Sequence, residues 1–485
     1  MISTKDMIMS KNVMSSALRN IIRCIAAFVI VGVLCLSALM LSNSVSPHLV
    51  TNSISRDFDW IEARGDYPAV LSGLTAVEIE AQAQATGTMP TLGFPKYRYD
   101  GFTDAIMLMQ AIPDRDRSAL DNAIMGPYYA FGEGTGGDSP TEALLQLVAN
   151  PNTIEQGRDY VLYWHGYVVP MRVLLTFLSP TTIIVINCII FALLTALVFE
   201  VFRRTGGLAY SIAFIVALLA TFSFIAPLGF QYFTAYLIAF LATLVLYWLL
   251  QSQKRSTWIV PFFLVVGLLT VFFDFLTIPL LTFLLPLALY LLWRIKRAQA
   301  KSITVSFFTS FKSIVAVASA WLVGYAGFWA CKWMLVAVTN GVQYANSEFV
   351  YALGQRSGAD AGGIGFRFNA IYNNLYNLFF LRPDGSIFPG AFFGWGAVLF
   401  AVFVFVWWVA VRYSNASALQ VKSALPMLLV ALGPYLWYFV VAQHSTFHSW
   451  FSWRLQLASL LAVLFFVLLS INWSTLGNRI MGKQR

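Results

Sequence analysis

The sequence predicts an all-α polytopic membrane protein with about ten transmembrane helices and an extracytoplasmic, α-rich cap formed by the first outer loop. Of its 485 residues, 59% are hydrophobic and only 11% are charged, and the apolar residues are gathered in long runs. A soluble domain carries about 25% charged residues, whereas a membrane-crossing helix needs about 20 apolar ones. The composition therefore excludes a soluble globular domain, a disordered chain and a disulfide scaffold.

Basic residues place both chain ends on one side of the membrane. The first apolar run, 24–41, follows Lys11, Arg19 and Arg23, so the positive-inside rule predicts a cytoplasmic N-terminus. No small-x-small cleavage site follows this run, which favours a retained anchor over a signal peptide. Nine further runs cover residues 180–202, 207–226, 231–250, 258–273, 275–293, 313–335, 389–411, 424–443 and 455–473. The basic clusters between alternate runs all fall on the N-terminal side, as expected of a multi-pass protein of the bacterial plasma membrane with both termini in the cytoplasm.

This topology divides the chain into five parts. They are a cytoplasmic N-terminus with the first transmembrane helix (1–42), an acidic extracytoplasmic cap with an interfacial helix (43–179), a transmembrane region (180–335), a second extracytoplasmic loop (336–388), and C-terminal transmembrane helices with a cytoplasmic tail (389–485). The interfacial helix is expected within 160–178, where His165, Gly166, Pro170 and Arg172 interrupt an apolar stretch.

The first outer loop, 43–166, concentrates the acidic charge. It holds 16 of the 22 acids and seven basic residues, a net charge of −9 in a chain whose total is +9. The basic charge therefore belongs to the cytoplasmic edge and does not indicate nucleic-acid binding. A loop this long is expected to fold, with helices predicted at 76–85, 103–110 and 141–148.

Ionisable residues are scarce in the predicted spans. A transporter normally places such residues in mid-span around a cavity. Polar residues gathered at one membrane face favour instead an enzyme that acts there on a substrate held by the lipid.

Asp57 and Asp59 are the first candidates for that chemistry. They flank Phe58 about 15 residues after the first span, and a carboxylate there could act as a general base or hold a divalent cation, Mg²⁺ or Mn²⁺, against a phosphate. The alternative is a solvated acidic turn or a helix cap. Asp66 is a further candidate in the same stretch.

Two aromatic segments of the cap could bind sugar. Asp100 and Asp104 are four residues apart beside several aromatic residues. This mixture suits sugar binding, because aromatic rings stack on sugar faces and carboxylates accept hydrogen bonds from sugar hydroxyls. The alternative makes Asp100 a helix N-cap and Asp104 an exposed first-turn acid. Tyr163, Trp164 and His165 lie where the cap meets the membrane; the two aromatic residues suit an interfacial anchor, and His165 is a substrate-binding candidate.

Later polar residues complete the candidate set. Asp274 lies between two apolar runs, where it needs a partner or marks an exposed turn or N-cap. His444 and His448 are four apart in a short outer loop, but no Glu completes a metalloprotease pattern, so no metal site is predicted. Arg454 could clamp a phosphate, or its side chain could extend to the interface.

The arrangement resembles the GT-C superfamily of polytopic glycosyltransferases. It shares with them one span, a long acidic outer loop with an early Asp, and many closely linked spans. The segments 100–105 (DGFTDA), 163–167 (YWHGY), 274–280 (DFLTIPL) and 444–448 (HSTFH) are similar to parts of little-characterised bacterial membrane proteins of this shape. The adjacent pair of acids usual in the superfamily is absent here, because Phe58 separates Asp57 from Asp59.

The resemblance implies an enzyme that moves a sugar from a polyprenyl-phosphate-linked donor to a cell-envelope glycan, lipid or protein. By analogy Asp57 or Asp59 would be catalytic, and Arg367, Arg382 or Arg454 would contact the phosphate. Two other classes stay open: a flippase or exporter of lipid-linked glycans, which predicts charged residues around a central cavity, and a non-enzymatic membrane scaffold whose cap binds a partner. A deep outer groove open to lipid would separate the enzyme from the scaffold.

Overall fold

The computed structural model is all-helical, with 84% of it in helices and no β-strand among the described residues. The described residues are 4–65, 100–126, 139–149, 159–274, 276–303, 305–357, 363–379 and 389–481. The predicted all-α class is thereby confirmed.

The helices follow one another with short links. Helices α1 to α7 are Thr4–Ser42, Pro47–Ser55, Phe58–Arg64, Gly101–Ala111, Ala119–Met125, Pro140–Ala149 and Val168–Leu175. Helices α8 to α15 are Pro180–Gly206, Leu208–Ala220, Phe230–Leu250, Gln253–Ser256, Ile259–Phe273, Leu281–Ala300, Phe307–Asn340 and Val342–Ser357. Helices α16 to α23 are Gly363–Phe379, Pro389–Tyr413, Ala418–Ala424, Pro426–Val440, Ala442–Phe447, Ser449–Ser452, Gln456–Ser470 and Trp473–Ile480. Ser223–Leu228 and Trp453–Leu455 form 3₁₀ turns.

Six segments of the described chain are long and apolar enough to cross a membrane. They are Leu18–Ser42, Pro180–Gly206, Phe230–Leu250, Phe307–Asn340, Ala418–Val440 and Ser449–Ser470. The apolar helices Leu208–Ala220, Ile259–Phe273 and Ala401–Tyr413 are shorter. These lengths and compositions are compatible with a multi-pass membrane protein.

Two predicted apolar segments contain breaks that hydropathy does not register. The run predicted at 275–293 becomes helical only at Leu281, because Asp274 Oδ2 accepts the Thr277 N–H at 3.0 Å and Leu276 has a φ of +63°. Within 160–178 only Val168–Leu175 is an α-helix, which at eight residues is too short to span a bilayer. Predicted helices 103–110 and 141–148 lie within α4 and α6, and 76–85 lies outside the described residues.

Helices α12 and α14 cross with their backbones in contact. A Cβ added to Gly267 would lie 2.0 Å from the Trp321 carbonyl oxygen, and one added to Gly324 would lie 2.0 Å from that of Leu264. Small residues of this kind let membrane helices approach closely.

The short helices α2, α3, α4, α6 and α7 share one apolar core with the helix ends beneath them. Its buried members include Val50, Ile54, Ile61, Met109, Leu144, Leu147, Met171, Leu175, Ile183, Phe230 and Leu276. Because Phe230 and Ile183 begin α10 and α8, this core seats the short helices on the starts of two long ones.

The long helices connect two chemically different ends. Helix α8 starts beside Asp57 and has Arg203 and Arg204 in its last turn, about 40 Å away at 1.5 Å per residue. We call these the acidic end and the basic end. At the basic end, cations lie 4.4–5.9 Å from aromatic ring centres in the pairs Arg23/Trp258, Arg255/Trp248, Arg294/Tyr290, Lys296/Tyr210, Arg297/Trp293, Arg412/Trp408 and Arg479/Tyr413. Such pairs are typical of a membrane interface.

Candidate functional site

Asp57 lies at the start of a long helix. Its Oδ2 accepts the backbone N–H of Thr181 at 2.6 Å and the Thr181 hydroxyl at 2.5 Å. Thr181 is in the first turn of α8, so the carboxylate caps the positive end of that helix. Asp59 is exposed in the first turn of α3. Asp66 lies outside the described residues.

Asp100 and Asp104 are both buried. Asp100 is the N-cap of α4, accepting the Thr103 N–H at 3.1 Å and its hydroxyl at 2.6 Å. Asp104 forms a 2.6 Å ion pair with Arg64 and accepts the N–H groups of Phe230 and Gln231 at 2.9 and 3.2 Å. Asp104 is therefore not the exposed acid of the alternative reading; it joins α3 and α4 to the start of α10.

The segment 160–167 is fastened to the long helices. Trp164 stacks on Phe328 at 4.5 Å and donates its indole N–H to the Phe328 carbonyl at 3.0 Å. The Tyr163 carbonyl accepts the amine of Lys332, which is fully buried. These bonds fasten the segment to α14.

His165 is packed inside this segment. Its Nε2 lies 2.7 Å from the Tyr160 carbonyl and its Nδ1 lies 3.0 Å from the Tyr167 hydroxyl. Burial lowers the pKa of His165 well below its usual value, and Lys332 lowers it further. Gly126, at φ +56°, packs directly against this ring. A Cβ added at Gly126 would lie only 2.3 Å from the His165 ring. The geometry gives His165 a structural role.

A second group of polar residues converges from four segments. Tyr163 and Asp274 interact electrostatically with each other, and each also interacts with Tyr325 of α14. The guanidinium of Arg356, at the end of α15, lies 5.6 Å from the centre of the Tyr163 ring. Arg356 Nη1 lies 3.2 Å from His444 Nδ1. We call Tyr163, Asp274, Arg356, His444 and His448 the Arg356 cluster.

The two histidines of the cluster are neutral. Their rings are 4.5 Å apart, and both pack against Phe451. Burial lowers the pKa of His448 to about 3 and that of His444 well below its usual value, with Arg356 adding to both shifts. Arg356 has to donate to His444 because a guanidinium has no acceptor, so His444 carries its proton on Nε2.

Arg356 has no carboxylate ion pair in the described part of the chain. Its Nε has no hydrogen-bond partner among the described residues. The buried side-chain hydroxyls of Thr277, Ser445 and Thr446 also have no hydrogen-bond partner there. Buried polar atoms normally have partners. Ser445 and Thr446 follow His444 directly in the chain, and Thr277 donates its N–H to Asp274.

The arginines predicted from sequence have different surroundings. Arg454 is buried and lies 5.3 Å from the Tyr232 ring, so its side chain does not extend to the surface. Arg367 Nη1 donates to the carbonyls of Phe439 and Val440 at 2.8 and 3.4 Å, at the end of α19. Arg382 lies outside the described residues. Tyr232 also packs on Phe451, which brings Arg454 next to the cluster.

Three residues with large structural effects were not among the site residues predicted from sequence. Arg356 is one of a few arginines in the second outer loop, and Lys332 lies in an otherwise apolar span. Buried Arg172 donates to the carbonyls of Gln110 and Ala111, both at 3.1 Å, and to Ser42 at 3.0 Å. A charge inside an apolar stretch was the available signal for Lys332 and Arg172.

Neither a metal-binding group nor a related protein adds to the description of this site. In the described ranges no group of three or more His, Cys, Asp or Glu side chains is arranged to hold a metal ion. No family model, curated protein or solved structure matches the chain.

Proposed function

We propose that this protein is an integral membrane glycosyltransferase that moves a sugar from a polyprenyl-phosphate-linked donor to a cell-envelope glycan, lipid or protein. The observation that carries the proposal is Arg356, a guanidinium that contacts a tyrosine ring and a neutral histidine without a carboxylate ion pair among the described residues. A charge in such surroundings is costly unless an opposite charge approaches it. A phosphate supplies that charge.

The cluster suits the phosphate of a lipid-linked donor. A guanidinium presents a planar fork of donors that matches phosphate oxygens, and neutral histidines keep an N–H to donate. Leu432, Leu436 and Val440, four residues apart on α19, are 54–66% exposed and lead along one helix face towards His444. This apolar stripe offers a path for the polyprenyl chain.

Asp274 supplies the carboxylate that transfer needs. In the proposed step the acceptor hydroxyl oxygen attacks the anomeric carbon of the sugar, and the bond from that carbon to the phosphate oxygen breaks. The hydroxyl proton passes to Asp274. The polyprenyl phosphate leaves as an anion, and the Arg356 guanidinium stabilises its negative charge. Asp59 is the alternative base, because Asp57 and Asp104 are occupied at helix starts.

The proposed setting is the outer face of the bacterial plasma membrane. Ten spans with both termini in the cytoplasm place the basic end inside and the acidic end, with residues 43–179 as a cap, outside. The seven cation–aromatic pairs at the basic end support this orientation through the positive-inside rule. A divalent cation, Mg²⁺ or Mn²⁺, belongs to the proposal as a partner of the donor phosphate.

Release of polyprenyl phosphate tests the proposal without knowledge of the acceptor. The purified protein in lipid nanodiscs would receive polyprenyl-phosphate-linked hexoses and pentoses with a crude envelope acceptor. We expect Asp274→Asn to lower the rate by 10²–10⁴-fold and Arg356→Gln to lower it by at least about 100-fold. The exposed Asp116→Asn and Arg56→Gln are matched controls that keep full activity. Chelation with EDTA tests the cation.

The outcomes separate the alternatives. Loss of activity in Asp59→Asn with full activity in Asp274→Asn would move the base to the exposed acid of α3. Full activity in both Asp274→Asn and Asp59→Asn would refute a carboxylate mechanism at the acidic end. Movement of the donor across the bilayer without release of polyprenyl phosphate would make the protein a flippase.

A further inference from the structure

A polar cavity lies at the basic end, far from the Arg356 cluster. It has a volume of about 220 Å³ and opens between the last turns of α8, α10 and α13. Arg204, Lys296 and Arg297 line it together with the aromatic rings of Tyr247 and Trp293. At about 30 Å³ per water molecule, the cavity has the volume of about seven waters. A phosphate group with part of its glycerol fits in that volume.

The charge around this cavity is unbalanced. Glu200 is the one acid near it in the described chain, and it already pairs with Arg203 and Arg204 at 2.6 and 2.7 Å. Lys296 and Arg297 contact the rings of Tyr210 and Trp293 at 4.7 and 4.9 Å and form no ion pair among the described residues. Two cations of the lining are therefore available to an anion.

The helix ends oppose this charge but do not cancel it. Three helix C-termini meet here, and each carries about half a negative charge. Arg203, Arg204, Lys296 and Arg297 exceed Glu200 by three positive charges. A positive excess of about one and a half charges remains for a ligand.

Apolar side chains on the same helices suit a ligand with acyl chains. Leu193 and Leu197 on α8 and Leu241 and Val245 on α10 are 45–61% exposed. These residues lie about two to three helical turns before Arg204 and Gln251, which line the cavity. The acyl chains of a lipid would lie at this depth when its headgroup occupies the cavity. A free phosphate would make no use of them.

We infer that the cavity lined by Arg204, Lys296 and Arg297 binds the phosphodiester of an anionic phospholipid in the leaflet at the basic end. Basic pockets between membrane helices commonly hold such headgroups. The lipid would hold the last turns of α8, α10 and α13 together. This inference does not depend on the proposed function, because the cavity lies at the opposite end from the Arg356 cluster.

A lipid titration tests the inference on the full-length protein. Dihexanoyl phosphatidylglycerol and, as the uncharged comparison, dihexanoyl phosphatidylcholine would be added to detergent-purified protein, with the thermal midpoint as readout. Phosphatidylglycerol should raise the midpoint and phosphatidylcholine should not. Lys296→Gln with Arg297→Gln should weaken the apparent affinity by about 25-fold, roughly five-fold per charge.

Controls separate the cavity from general surface charge. Lys254→Gln with Lys422→Gln removes two exposed charges from the same end and should leave the affinity unchanged; the lipid-free midpoint of each variant reports its folding. Equal affinities of the two double variants would overturn the site. An equal rise with glycerol 3-phosphate would overturn the lipid as the source of the phosphate.

Discussion

Three acidic residues each accept a backbone N–H at the start of a helix: Asp57 at α8, Asp100 at α4 and Asp104 at α10. The early position of Asp57 and the spacing of Asp100 and Asp104 identified acids that matter, but their partners are distant in the chain: Thr181 for Asp57, and Arg64 and Phe230 for Asp104. Only the Asp100 cap is local, and the pattern around it predicted that alternative. Arg356 was missed because its partner His444 lies 88 residues away.

Substitutions of Asp57 distinguish capping from catalysis. Asp57→Asn keeps an acceptor oxygen at the same reach for the Thr181 N–H, so its stability should stay close to that of the wild type, whereas Asp57→Ala should lose about 1 kcal/mol. Chemical denaturation in mixed micelles would measure both. Donor turnover per folded molecule should be unchanged in each, and a 100-fold loss in Asp57→Asn would instead restore Asp57 as the base.

The buried histidines predict a pH dependence of stability. His165, His444 and His448 have folded-state pKa values below the usual 6.5, so below pH 6.5 the unfolded chain binds protons that the folded chain does not. The histidines should lower stability as the pH decreases through 6.5, by about 1.4 kcal/mol per histidine at pH 5.5. Asp104, whose pKa burial raises to about 7, takes up a proton in the folded state over the same range and offsets part of this loss. Thermal midpoints between pH 7.5 and 5.5 would measure this.

A variant that cannot take up the proton is the control for this effect. His448→Gln should reduce the pH dependence, whatever its midpoint at pH 7.5. An unchanged slope in His448→Gln would show that His448 is accessible to protons in the folded state.

At the scale of helices, hydropathy located the long elements well and their interruptions poorly. Predicted runs 180–202, 231–250 and 313–335 lie within α8, α10 and α14, because span length is a local property. The turn after Asp274 was hidden, since Leu276 and Ile278 are as apolar as a helix interior. The close crossing of α12 and α14 was equally hidden, because a single glycine in a span has several explanations.

That crossing predicts a sharp difference between neighbouring glycines. Gly324→Ala or Gly267→Ala puts a Cβ 2.0 Å from a backbone oxygen of the facing helix, so the helices must separate, at a cost of about 3 kcal/mol. Gly327→Ala, one turn along α14, meets only the Phe28 ring at 3.4 Å and should be tolerated. Thermal midpoints would compare the three variants, and equal values for Gly324→Ala and Gly327→Ala would refute the contact.

At the scale of the whole molecule, charge separates two ends. Acids and histidines gather where α8 and α10 begin, and basic residues gather where they end, so the distribution read from sequence agrees with the direction of these helices. What sequence could not supply was the convergence of Tyr163, Asp274, Arg356 and His444, because it depends on how four separate segments pack.

Accessibility of introduced cysteines tests which end faces outwards. In a background with Cys24, Cys35, Cys188 and Cys331 replaced by alanine, cysteines at Ser139 and Ser357 should react with a membrane-impermeant thiol reagent in intact cells. A cysteine at Ser252, at the basic end, should react only after the cells are opened. The reverse pattern would invert the proposed orientation.

Photo-crosslinking of a donor analogue tests the central claim most directly. A polyprenyl-phosphate-linked sugar with a diazirine beside the phosphate would be bound to the protein in nanodiscs, irradiated, and mapped by mass spectrometry of peptides. We predict labelling of the peptides that contain Arg356 or residues 444–448, reduced at least ten-fold in Arg356→Gln and unchanged in the exposed Arg56→Gln. Labelling confined to the basic end, or equal in wild type and Arg356→Gln, would contradict a donor site at the Arg356 cluster.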